Sequence, residues 1–205
     1  MTTTLPDRLE TIAALRSELH RAQPAGQSLP THSALTELVG PGLRVGTVHC
    51  ITNSTSLGIA LMAGASAAGS WCATVGFPDL GLECADEWGV DLERLALIPQ
   101  VRPEQWLDTV CALIEAIDVV LARPAPPLAP GLRNRLLARL RHRGATLLVA
   151  GAWPQATSTF EVTADRWHGL EHGHGHLVSR ELTISCTRGH RTTSATVQWP
   201  PPHRR

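Results

Sequence analysis

Apolar residues along this chain gather into short runs, and between the runs their spacing becomes helical. Runs at Thr47 to Ile51, Ser70 to Gly76, Leu95 to Ile98, Asp118 to Ala122 and Ala145 to Ala150 read as buried strands. Between them, Leu82 to Trp88 brings Leu82, Ala85 and Trp88 to one helix face. Pro103 to Ala116 is the strongest helical signal. Trp106, Leu107, Val110, Leu113, Ile114 and Ile117 keep the period, with Glu104 and Asp108 near the N-terminal end. Pro130 to His142 carries Leu132, Leu136 and Leu140 as its apolar stripe. Leu57 to Ala68 is also helical, but Gly58, Gly64 and many alanines make it weak alone, so close packing must hold it.

Turn residues punctuate these elements. Ser33 to Val39 is a short helix stopped by Gly40-Pro41-Gly42, and Pro78, Asp79 and Gly81 mark a turn after the second run. Gly89 stands at a helix C-cap, so Ser70 to Ile98 reads as a compact βαβ unit. Past Ala150 the pattern is β: Thr159 to Thr163, then Leu177 to Thr187 paired with Arg191 to Trp199 through Arg188-Gly189-His190. At the other end, Asp7 to His20 is an amphipathic helix with Leu9, Ile12, Leu15 and Leu19 on one stripe, and Gln23 to Thr31 reads as a linker. The expected fold is α/β: a mostly parallel central sheet flanked by helices, a C-terminal antiparallel hairpin, and an N-terminal helix on a linker. The divisions are 1–31, a core at 32–199, and a Pro-rich tail at 200–205.

Composition changes this picture at a few points. With 205 residues, zero formal net charge and 18% charged residues, the chain suits one α/β domain and is not a globally basic nucleic-acid binder. No apolar run is long enough to cross a membrane and no secretory leader pattern opens the chain, so a cytoplasmic location is expected. The cysteines Cys50, Cys72, Cys84, Cys111 and Cys186 are scattered without a CxxC pair, as small buried hydrophobes of a reducing compartment would be. All eighteen basic residues are arginine; lysine is absent.

That absence decides the main chemical question. A phosphate-binding loop between a first strand and its helix needs glycines for close backbone approach and a lysine for the β/γ charge. Here the segment is Thr52-Asn53-Ser54-Thr55-Ser56, with neither. Its hydroxyls read as ordinary helix caps, with a stray anion at the helix start as the alternative. His172, His174 and His176 alternate on one side of an extended segment, as a zinc site would have them, but so would a solvated glycine-rich hairpin loop, and no fourth ligand completes the set. Arg133, Arg135, Arg139, Arg141 and Arg143 concentrate charge on one helix, either as a solvated face or as a surface for phosphates or an acidic partner. Arg135, Arg139 and Arg143 are the DNA-contact candidates. Ile12, Leu15, Leu19 and Trp199 are the partner-binding candidates, the last as an aromatic anchor near a sheet edge. No Ser/His/Asp or Cys/His order specifies a nucleophile.

Gly89-Val90-Asp91-Leu92-Glu93-Arg94-Leu95, followed by Ile98-Pro99-Gln100, resembles the segment just downstream of the first catalytic acid in the RecA recombinase core. The order of elements from Ser33 to Trp199 is similar too. The resemblance implies a RecA-like core, with Phe77 where RecA has its water-activating glutamate and Arg123 where it has a Mg²⁺-associated aspartate. An aromatic and a cation in place of two carboxylates remove water activation and metal support, so neither enzyme activity nor a nucleotide cofactor is expected. The regions matching RecA's DNA-binding loops, Pro124 to Gly131 and Trp153 to Thr159, are short, so DNA contact is expected to be weak or indirect. The strings Leu35 to Leu43, Gly69 to Glu83 and Arg166 to Leu177 are similar to the ImuA family, actinobacterial ImuA′ type. That resemblance implies an SOS-induced accessory of mutagenic translesion synthesis, nucleoid-associated on DNA damage. Its implied partners are ImuB, a catalytically inactive Y-family polymerase homologue, an error-prone DnaE-type polymerase, and RecA or a second copy of itself. A SulA-like inhibitor of cell division and a divergent DNA-dependent ATPase are the alternatives.

Overall fold

A computed structural model describes residues 27–123, 127–171 and 174–199, with the side chains of residues 170, 171 and 174–177 set aside. The expected N-terminal helix with Ile12, Leu15 and Leu19, the tail 200–205, His172, and the side chains of His174 and His176 lie outside the described residues.

Ten strands and five α-helices follow in chain order among the described residues: β1 (Ser28–Leu29), α1 (Thr36–Val39), β2 (Leu43–Arg44), β3 (Val48–Ile51), α2 (Thr55–Ala67), β4 (Cys72–Val75), α3 (Leu82–Glu87), β5 (Leu95–Ile98), α4 (Trp106–Ile114), β6 (Val119–Ala122), α5 (Pro130–Arg143), β7 (Thr146–Ala150), β8 (Ser158–Glu171), β9 (His174–Arg188) and β10 (Arg191–Trp199). The main sheet has the order β10-β9-β8-β3-β7-β6-β4-β5. From β8 to β5 every pairing is parallel, while β9 and β10 continue the sheet antiparallel. β1 and β2 form a small antiparallel pair.

Strands β3, β4 and β6 are buried at every position because helices cover both faces. Along β6, Val119 and Leu121 join one apolar cluster while Val120 and Ala122 join the other. The first cluster holds α2, Ala85 of α3, and the inward residues of β9 and β10; the second holds α4 and α5. From β3 the chain moves toward β4 and β5, then returns through β6 and β7 and passes β3 to reach β8. Since βαβ crossovers are right-handed, the reversal puts α2 and α3 on one face and α4 and α5 on the other. It also makes the C-terminal end of β3 a topological switch point, where open sheets form crevices.

Helix α2 has the close packing its composition demands. Ser54 caps it by accepting from the Leu57 N–H at 3.2 Å. A Cβ on Gly58 would lie 2.9 Å from Leu121 Cδ1, and one on Gly64 would lie 2.2 Å from the Thr31 carbonyl carbon. Small residues let the sheet approach on one side and the entering chain on the other.

Four expectations are corrected. The stretch Gln23 to Thr31 is not simply a linker: Ser28–Leu29 pairs with Leu43–Arg44, Leu29 is buried, and Thr31 lies against Gly64. Leu95 to Ile98 is the outer edge of the sheet rather than a buried strand, and Leu97 is exposed. Leu82 does not share the buried face of Ala85 and Trp88; its position in the first turn of α3 leaves it exposed. Strands β8 and β9 are longer than their patterns suggested and pair with each other ahead of the expected β9–β10 hairpin: β8 runs on to Glu171 and β9 starts at His174. Residues Thr163 to Gly169 are exposed on both faces of this ribbon apart from its own pairing, so no apolar alternation announces the strand. Gly189, at φ +59°, opens the two-residue turn into β10, which forms the sheet edge as expected. No helix among the described residues is long and apolar enough to cross a membrane.

Candidate functional site

The switch-point crevice is lined by Ile51, Thr52, Asn53, Ser54, Thr55, Arg123 and Ala150, and encloses about 230 Å³. Its polar residues are bonded to neighbours outside the lining. The Asn53 side chain donates from Nδ2 to the Val162 carbonyl at 2.8 Å and accepts the Val162 N–H at 2.9 Å. A side-chain amide thus copies a strand backbone and extends the β3–β8 pairing past Thr52, whose N–H donates to the Phe160 carbonyl at 3.1 Å. Ser54 is occupied as the cap of α2, with its Oγ also 3.2 Å from Ser56 Oγ.

Phe77 and Arg123 come together. The Arg123 guanidinium lies over the Phe77 ring, 4.7 Å from its centroid, and donates to Asp79 Oδ1 at 3.0 Å. The Arg123 carbonyl accepts from Trp106 Nε1 at 2.6 Å, tying the end of β6 to α4. A cation held by an aromatic face and a carboxylate is a structural clamp. Asp79 was missed as a member of this group; Phe77 and Asp79, flanking a proline in one tight turn, were its only signal.

Arg139 Nε contacts Glu115 Oε1 at 3.2 Å, and Arg143 pairs with Glu115 Oε2. Arg135 has no ion pair among the described residues and lines an open groove between α4 and α5. The three DNA-contact candidates therefore share one groove but not one state.

Trp199, expected as an aromatic anchor near a sheet edge, is itself buried at 7% exposed. Its ring sits 4.1 Å from that of Trp88, which in turn meets His32 edge-on at 5.0 Å. The inward face of β10 includes Ala195, Val197 and Trp199, so the period of two carries the last tryptophan into the core. Trp199 pairs across the sheet with Arg180, and Arg180 with Trp167. Arg180 stacks on Trp167 at 4.8 Å and donates to both oxygens of Asp165 at 2.8 and 2.7 Å. Those bonds hold the Asp165 carboxyl below its usual range. Trp167, 51% exposed, is the aromatic this ribbon presents to solvent. Its signal was the Arg166 to Leu177 string, whose strand character the exposed pattern concealed.

A buried network stands under β3. His49 Nε2 is 3.0 Å from Thr47 Oγ1, and His49 Nδ1 is 3.2 Å from Ser158 Oγ. Thr47 spends its proton on the Arg44 carbonyl, so it accepts from His49 Nε2–H and leaves Nδ1 to accept from Ser158. Arg188 donates to Ser158 Oγ at 3.2 Å and to the Val39 carbonyl at 2.9 Å. Burial, with the Arg188 charge assisting, lowers the His49 pKa to about 4. Ser158 is 1% exposed, so this serine–histidine pair meets no substrate. Burial and the neighbouring Asp118 push the Cys72 thiol up to about 12, and all five cysteines are free. Among the described residues no group of histidine, cysteine and acidic side chains could hold a metal.

The family model described as MT3502 N-terminal domain matches residues 37–155, from α1 through β7 to the loop before β8. The uncharacterized protein Rv3395c of Mycobacterium tuberculosis is 34% identical over 158 residues, covering 76% of each chain. The matched span contains β3, the Asn53 loop, the Phe77–Arg123 clamp and the arginine helix, and so the chain belongs to the MT3502 N-terminal domain family.

Proposed function

We propose that this chain is a non-catalytic, RecA-like accessory protein of the ImuA type, acting in SOS-induced mutagenic translesion synthesis. It serves as an adaptor for ImuB and an error-prone DnaE-type polymerase. The observation that carries the reading is the crevice at the end of β3. Its loop is stitched to β8 through Asn53, and the two positions that match catalytic carboxylates of RecA form a cation–aromatic clamp closed by Asp79. A crevice whose polar side chains are already engaged by the surrounding fold offers surfaces rather than chemistry. The order of strands and the similar strings Gly69 to Glu83 and Arg166 to Leu177 support the ImuA reading. On the C-terminal ribbon, the edge of β10 and the exposed Trp167 are the docking features, while Trp199 is buried. DNA contact is weak and salt-dependent, since Arg139 and Arg143 already share Glu115.

The experiment is tandem. Calorimetry with ATP–Mg²⁺ is expected to give no stoichiometric heat, and affinity capture from DNA-damaged cells is expected to return the inactive polymerase homologue. Micromolar ATP binding, or capture of a division protein in place of the polymerase homologue, overturns the reading.

A further inference from the structure

We propose that the groove between α4 and α5 is a docking site for an acidic amphipathic helix of a partner protein. The groove is an open cavity of about 700 Å³. Its floor is apolar: Leu107 and Cys111 from α4 meet Leu132 and Leu136 from α5, and Leu132 remains 37% exposed. Along the α5 side stand Arg135, Arg139, His142 and Arg143. Helix α5 as a whole, Pro130–Arg143, carries five arginines and no acidic residue. It faces the nine-residue α4, whose length of about 14 Å lets the groove seat a helix of two to three turns.

The chemistry selects the occupant. A long apolar floor beside a cationic wall matches a helix with leucine-type anchors on one stripe and carboxylates flanking it, the helix-in-groove mode. Nucleic acid fits less well. Asp108 and Glu115 line the same groove and offset part of its positive charge for phosphates and carboxylates alike, so what favours a helix over nucleic acid is the apolar floor, which a phosphate backbone would leave uncovered. Residues 7–21 of this chain fit less well too, because three acidic residues are matched there by three arginines. Arg135, which has no such ion pair, is the residue that distinguishes an acidic from a basic occupant.

The test uses the purified full chain and fluorescence anisotropy, so it stands or fails independently of the translesion reading. Four labelled probes are compared at low and physiological salt: an amphipathic helix of leucines flanked by glutamates, its lysine-flanked counterpart, a peptide of residues 1–26, and a DNA duplex. The acidic helix is expected to bind saturably, at least tenfold tighter than the lysine version, and to weaken with salt. Arg135→Glu is expected to cut that affinity at least tenfold with an unchanged thermal melt. Arg141→Glu, the same charge change on α5 but outside the groove, is expected to alter it less than about twofold, an effect within the scatter of surface substitutions. Equal binding of both helices, no saturable binding of the acidic one, tighter binding of DNA or of residues 1–26 at the same groove, or equal loss in both variants overturns the proposal.

Discussion

Trp199 and Trp167 lie two strands apart in one cross-strand row with Arg180, yet burial gives them opposite roles. Trp199→Ala opens a void beside Trp88 and is expected to cost about 3–5 kcal/mol in denaturant unfolding. Trp167→Ala removes a half-exposed ring and is expected to cost less than about 1 kcal/mol. A loss of partner binding in the first variant therefore reports folding, whereas in the second it reports the surface. His49 supplies a pH test at the same scale. Its folded pKa is lowered from 6.5 to about 4, so the unfolded chain takes up the proton first as pH falls. The stability held above pH 6.5 is lost on acidification between about 6.5 and 4, to the extent of roughly 3 kcal/mol. Chemical denaturation across that window should show the slope, and His49→Gln should remove this residue's share of it.

At the scale of elements, α2 shows how a weak helix becomes a central one. Its glycines reduce propensity, but they admit Leu121 on one side and the Thr31 backbone on the other. Gly64→Ala has no φ penalty here, yet its Cβ would collide with main chain and not with a movable side chain. The expected cost is about 1–3 kcal/mol, measured by thermal or urea unfolding. A neutral or stabilising result would mean that the entering strand is not docked on α2. The Asn53–Val162 bonds show a second device, in which one side-chain amide fixes where β8 leaves the sheet.

For the whole molecule, the β8–β9 ribbon extends past the core as an independent arm. Only Ser158 to Phe160 pairs with β3, and β10 covers β9 no further than Arg180. Beyond those points the arm pairs with itself. Replacing residues 169–178 by Asn-Gly closes His168 onto Ser179, a pair the register already sets. The shortened chain is expected to melt within about 4 °C of the parent, the shift of about 1 kcal/mol or less in a chain of this size. A larger loss would show that the arm is part of the folding unit. If the arm serves a partner, the shortened chain loses capture of that partner while remaining folded.

The sequence by itself determined the α/β class and the placing of the parallel strands and their helices. Buried runs and helical periods are local consequences of having a core on both faces. The absence of lysine and of a glycine-rich loop after β3 was equally legible, because it concerns residue types and not positions in space. Tertiary structure alone decided which strands lie at the edges, and so turned Leu95–Ile98 from a core strand into a rim. It also decided that residues 28–31 pack on the core, that Trp199 meets Trp88, and that Arg123 meets Phe77 and Asp79. Each of these joins residues far apart in the chain, where no local period carries a signal. The ribbon was hidden for a related reason: a strand pair exposed on both faces has no apolar side to alternate with.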